Sequence, residues 1–140
     1  MPTLQCEVVT PESRMYAGEA DFVVLPAANG EMGIYANHEP VVTTLNPGMV
    51  RVTEHEGNDV VRYIVAGGYA QVEAERVIVL ADRAVAYEKI DTSSVRVHID
   101  DLKEKLHDMQ DDDPNAAFLK SEIEWNELLV KIMTIDTKNN

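Results

Sequence analysis

The chain has 140 residues, 45% of them hydrophobic, which is enough for one conventional core and an appendage but not for two domains of usual size. A formal net charge of -13 opposes binding to phosphate backbones and anionic headgroups, so nucleic acid is excluded as a partner and a membrane is reached only through other proteins. Cys6 is the single cysteine, which rules out an internal disulfide and suits a reducing, cytoplasm-facing setting.

From Thr3 to Ala84 short apolar stretches alternate with turn residues, the pattern of antiparallel β structure. Asn29-Gly30, Pro47-Gly48 and Gly57-Asn58 are expected to reverse the chain, and Gly67-Gly68 marks a fourth break. Val50 and Val52 alternate with Arg51 and Thr53, which predicts one buried and one wet face. Val77-Ile78-Val79-Leu80 is apolar throughout and predicts a strand covered on both faces. A small strand-rich domain of this kind hides its apolar faces by stacking sheets. The expectation is an all-β sandwich, or a flattened barrel, over residues 1–88.

After Tyr87 the period changes. Val95, Ile99, Leu102, Leu106 and Met109 recur at steps of four and three, one stripe of a helix that Asp91 is placed to cap. Asp111-Asp112-Asp113-Pro114 ends that helix and begins another, with Asp113 as cap and Pro114 in the first turn. In the second helix Phe118, Trp125, Leu128, Ile132 and Ile135 form a stripe, which Leu119, Ile123, Leu129, Val130 and Met133 widen. An antiparallel two-helix C-terminal hairpin over residues 89–140 follows. It is too small to fold unaided and needs a docking surface.

Catalytic chemistry finds little support. Glu54-His55-Glu56 has metal-ligand residue types, but neighbours on a strand point to opposite faces, so a solvated hairpin tip is the better reading. Cys6 has no histidine close in sequence and reads as a small core residue. Gly30-Glu31-Met32-Gly33 and Gly67-Gly68 lack the Gly-Lys-Ser/Thr continuation of a phosphate loop. His98 and His107 read as ordinary imidazoles on an acidic helix.

Several ordered segments carry a resemblance. Gly18-Glu19-Ala20-Asp21-Phe22-Val23-Val24-Leu25-Pro26, Gly30-Glu31-Met32-Gly33-Ile34 and His38-Glu39-Pro40 are followed by Leu45-Asn46-Pro47-Gly48-Met49-Val50, Val65-Ala66-Gly67-Gly68-Tyr69-Ala70-Gln71-Val72 and Val77-Ile78-Val79-Leu80-Ala81-Asp82-Arg83-Ala84. Over residues 3–91 the chain resembles the epsilon subunit of F-type ATP synthases, and beyond them in architecture. The resemblance implies a non-catalytic central-stalk subunit, peripheral at the cell membrane on its cytoplasmic side, that couples proton movement to ATP synthesis by linking the gamma subunit to the c-ring. It places Glu31, Gly33, Ile34 and His38 on the c-ring side. It also implies that the two helices regulate ATP hydrolysis by entering the alpha/beta catalytic core, with Lys103, Lys105, Lys120, Trp125 and Lys131 as candidate contacts.

Some members bind ATP through an Ile/Leu-Asp-x-x-Arg-Ala motif, to which Ile90-Asp91-Thr92-Ser93-Ser94-Val95 corresponds. Only Asp91 carries that analogy, because Ser94 replaces the arginine and no arginine follows Arg96; no cofactor is expected. From position 96 onward six basic residues face eleven acidic ones, so any inhibitory docking would rest on the apolar arc around Trp125. Two other readings stay open: an ATP-sensing regulatory module, and a free-standing β-sandwich binding module whose helical tail dimerises.

Overall fold

The computed structural model describes residues 2–138 and divides into two compact units, Met1–Lys89 and Ile90–Asn140. In the first, β1 (Leu4–Val9), β2 (Arg14–Ala27), β3 (Gly30–Ile34), β4 (Val41–Leu45), β5 (Gly48–Glu54), β6 (Val60–Val65), β7 (Gly68–Val72), β8 (Arg76–Ala81) and β9 (Ala84–Ala86) build a β-sandwich that ends in a 3-10 turn, Tyr87–Lys89. Strands β1, β8, β7 and β4 lie side by side, β2 bridges to β5, β6 and β9, and β3 pairs with β2. The pairing of β1 with β2 closes a ring through β8, β7 and β4. One pair departs from the antiparallel expectation: β1 and β8 run parallel, Cys6 opposite Val77.

The inward faces follow the two-residue period. Leu4, Cys6 and Val8, Val50 and Val52, and Val77 and Val79 are all buried in one cluster. Each fully buried aliphatic side chain contributes about 1.5–3 kcal/mol relative to its exposed state. Ala20 and Val23 are three apart yet both buried. The register explains it, because Ala20 faces Glu54 and Phe22 faces Thr53, leaving Asp21 as an unpaired bulge residue that resets the phase of β2.

Three expectations are corrected. The Asn29-Gly30 and Gly57-Asn58 segments do reverse the chain, but Pro47-Gly48 does not, since β4 and β5 pair antiparallel to different parts of β2 and not to each other. The chain there moves from the Ala27 end of β2 to its Ala20–Val24 stretch. The strand holding Val77-Ile78-Val79-Leu80 is buried on one face only, with Leu80 46% exposed, because two layers leave each sheet an outer side. Phe118, expected on the packed stripe of the second helix, is exposed.

In the second unit α1 (Thr92–His107) and α2 (Ala116–Lys138) form the hairpin. Asp91 caps α1, its carboxylate accepting from the backbone N–H of Ser93 at 3.0 Å and of Ser94 at 3.4 Å. Asp113 accepts from the N–H of Asn115 at 2.8 Å, and α2 begins two residues beyond Pro114. Leu102 packs with Leu119 and Ile123, joined by Leu106 and Met109, so the arc of α2 that meets α1 is the widening set. No helix among the described residues is long and apolar enough to cross a membrane.

Candidate functional site: surfaces of the sandwich and the helical pair

Strand alternation decides what β3 can show. Glu31 and Gly33 point outward, whereas Ile34 has no exposed surface and belongs to the core. Of the four residues expected on the c-ring side, Ile34 is therefore a core residue and presents no surface there. Glu31 is ion-paired to Arg51 on β5 at 2.6 Å. Gly33 lies under the Phe22 ring, and Phe22 stacks on Tyr35 with centroids 4.4 Å apart. His38 sits past the strand, its Nδ1 2.8 Å from the carbonyl oxygen of Glu39, and is half-buried.

A second surface went unread in the sequence. On the outer side of the β4, β7 and β8 sheet, Val42 (69% exposed), Tyr69 (55%) and Leu80 lie among register neighbours: Tyr69 opposite Leu80 on one side and Thr44 on the other, Leu80 opposite Val9. Three large apolar side chains held outward on a well-packed sheet form a patch that water solvates poorly. Alternation along Gly68-Tyr69-Ala70-Gln71-Val72 was the available signal, because buried Ala70 and Val72 force Tyr69 outward.

In the helical unit Lys103 and Lys131 line one recess between the helices with Arg96, Ile99, Asp100, Glu127 and Val130, and Lys103 approaches Glu127 at 3.8 Å. Lys105 and Lys120 are exposed and do not line this recess, and Trp125 is buried. Asp91, the residue of the ATP-motif analogy, spends its carboxylate on the helix cap and on the Ser94 hydroxyl at 3.1 Å.

The side chains of Glu54 and His55 take separate partners. Glu54 accepts from the Tyr16 hydroxyl at 2.8 Å, while His55 Nδ1 meets Asp21 at 2.7 Å; no group of three possible metal ligands occurs among the described residues. Burial pushes the Cys6 thiol up to about 12, with the Glu7 charge adding to it, so the thiol is neutral and inert. The hydrogen bond to Asp21, helped by the nearby Asp21 and Glu19 charges, raises His55 above its ordinary 6.5. A raised histidine contributes stability that is fully present below pH 6.5 and is lost as pH rises through the elevated value. An NMR titration should accordingly find His55 titrating above 6.5, and Asp21→Asn should lower it. An unchanged titration in Asp21→Asn would remove the ion pair as the anchor of the β5–β6 turn on the β2 bulge.

The family model for the ATP synthase delta/epsilon chain β-sandwich domain matches residues 3–87. The chain belongs to the ATP synthase delta/epsilon family. A relative named ATP synthase epsilon chain, from Halorhodospira halophila, is 32% identical over 137 residues, covering 98% of this chain and 95% of that one. ATP synthase epsilon chain 2 of Ralstonia nicotianae is 46% identical over 96 residues, 69% of this chain and 68% of its own. The fold is also that of a chain in the Euglena gracilis mitochondrial ATP synthase, with TM-score 0.67, 22% identity, and coverage of 100% of this chain and 83% of that one. The family match ends at Tyr87, where the strands give way to the 3-10 turn.

Proposed function

We propose that this epsilon-family chain is the non-catalytic rotor subunit of an F-type ATP synthase. It sits peripherally at the cytoplasmic side of the membrane, with the sandwich joining gamma to the c-ring and the helical pair braking ATP hydrolysis at the alpha/beta core. Torque then passes through packed surfaces, and the chemistry stays with the catalytic subunits. The observation that carries this reading is the outward apolar patch of Val42, Tyr69 and Leu80 on a rigid sheet, which offers gamma an anchor with little ordering cost.

Leu80→Lys tests it. The side chain is 46% exposed, so the substitution spares the core while placing a charge in the patch beside Tyr69. Co-purification with gamma should weaken about tenfold or more, as for an interface anchor, with the melting temperature unchanged. Undiminished gamma binding by Leu80→Lys and Tyr69→Ala together would sink the assignment of this face.

A further inference from the structure

The sandwich passes the chain to the helical unit through a strand of three residues, β9, and a single 3-10 turn. The pairing of β9 with β6 runs from Val65 and Ala84 to Tyr63 and Ala86, and one more step of that register sets Tyr87 opposite Arg62. There the strand ends and a side chain takes over. The Arg62 guanidinium lies over the Tyr87 ring, 4.0 Å from its centroid, and donates to Oε1 of Glu88 from Nη2 at 3.1 Å and from Nε at 3.3 Å. One planar cation thus grips two successive residues, its face on the ring and its rim on the carboxylate, a combination that a lysine ammonium lacks.

The neighbouring strand gives a reason for this direction. In the β5–β6 register Arg51 stands directly opposite Arg62, and like charges so placed repel. Arg51 meets Glu31 on the β2 side and Arg62 meets Glu88 on the β9 side, so each guanidinium is drawn away from the other. The Arg62 side chain is only 28% exposed, which leaves its ion pair less screened than one on open surface. Beyond Glu88, two residues, Lys89 and Ile90, lead to Asp91, whose carboxylate caps α1. We propose that Arg62 is a clasp that sets the length of the joint between the sandwich and the helical pair. Closed, it leaves Lys89 and Ile90 to turn; open, it adds Tyr87 and Glu88 and doubles the joint. The clasp stands apart from the rotor reading, and its effect on the brake rests on that reading.

Hydrogen exchange of the full chain tests the clasp, and ATP hydrolysis by the reconstituted enzyme tests its use. Arg62→Met keeps the stem of the side chain and removes both contacts. Amides of positions 84–89 should then exchange about tenfold faster, with the melting temperature and the exchange of β1, β7 and β8 at the wild-type level. Arg62→Lys should restore only part of the protection, because it keeps the charge and loses the flat fork. Glu88→Gln, at a side chain 55% exposed, spares the core and should give a smaller rise in the same residues. A doubled joint lowers the effective concentration of the helical pair at its docking surface, so hydrolysis by the Arg62→Met enzyme should rise about threefold. Wild-type exchange at 84–89 in both Arg62→Met and Glu88→Gln overturns the clasp, as does a rise spread evenly over the sandwich. Faster exchange confined to 84–89 with unchanged hydrolysis upholds the clasp and counts against braking by the helices, so the two readings fail separately.

Discussion

Gly68→Ala should destabilise the sandwich by about 3 kcal/mol or more, the upper end of what local backbone strain and enforced displacement cost. Gly68 holds φ at +135°, where L side chains are strained, and a Cβ there would overlap the carbonyl oxygen of Leu80 and lie 3.0 Å from Cα of Ala81. Those neighbours are backbone of the paired strand, Gly68 facing Ala81 in the β7–β8 register, so nothing flexible can yield. For a unit of this size the loss corresponds to a melting shift of roughly 15 °C. Gly30 supplies the control: its φ of +122° is also left-handed, but nothing lies within 4 Å of the added carbon. Gly30→Ala should therefore cost only the conformational part, about 1 kcal/mol. Equal melting of the two variants would show that close approach at position 68 is not what demands glycine.

Ending the chain after Lys89 should leave a folded sandwich and raise ATP hydrolysis by the reconstituted enzyme. The main core cluster draws all its members from positions 4 to 86, so the truncated unit keeps every residue of that cluster. If the hairpin brakes the enzyme, its removal shifts the inhibited equilibrium by the coupling energy between hairpin and core, which for regulatory elements corresponds to about fivefold or more in activity. The acidic balance after position 95 makes the brake apolar in character, so the increase should persist at raised ionic strength. Circular dichroism of the truncated chain checks the first half and a hydrolysis assay the second. Unchanged hydrolysis would leave the helices without a regulatory role.

Much of the fold was legible because its causes are local. The two-residue period of Val50 and Val52 and the three-four spacing from Val95 to Leu106 are set by backbone geometry, and Asp91 announces its cap by residue type alone. What escaped depends on partners distant in sequence. Nothing near Pro47-Gly48 says that β4 and β5 pair with different lengths of β2, and the bulge at Asp21 appears only once Ala20 and Glu54 are opposed. The candidate site divides the same way. Glu31 and Gly33 stand out in a turn-rich segment, whereas Arg51 becomes relevant only through an ion pair that spans an intervening strand. The resemblance groups Ile34 with them, yet on a strand the residue after Gly33 belongs to the opposite face.

The parallel pairing of β1 with β8 has a consequence for biosynthesis. β1 leaves the ribosome before the other strands of the sandwich, but its second edge is completed only when Arg76–Ala81 has emerged, since Gln5 pairs with Arg76 and Val9 with Leu80. Until then β1 holds only its hairpin with β2, and the ring cannot close. Such long-range closure is slow compared with local helix formation. The nascent chain must keep an apolar strand edge shielded through most of the sandwich's synthesis, so this unit, rather than the hairpin that follows it, sets the demand for chaperones.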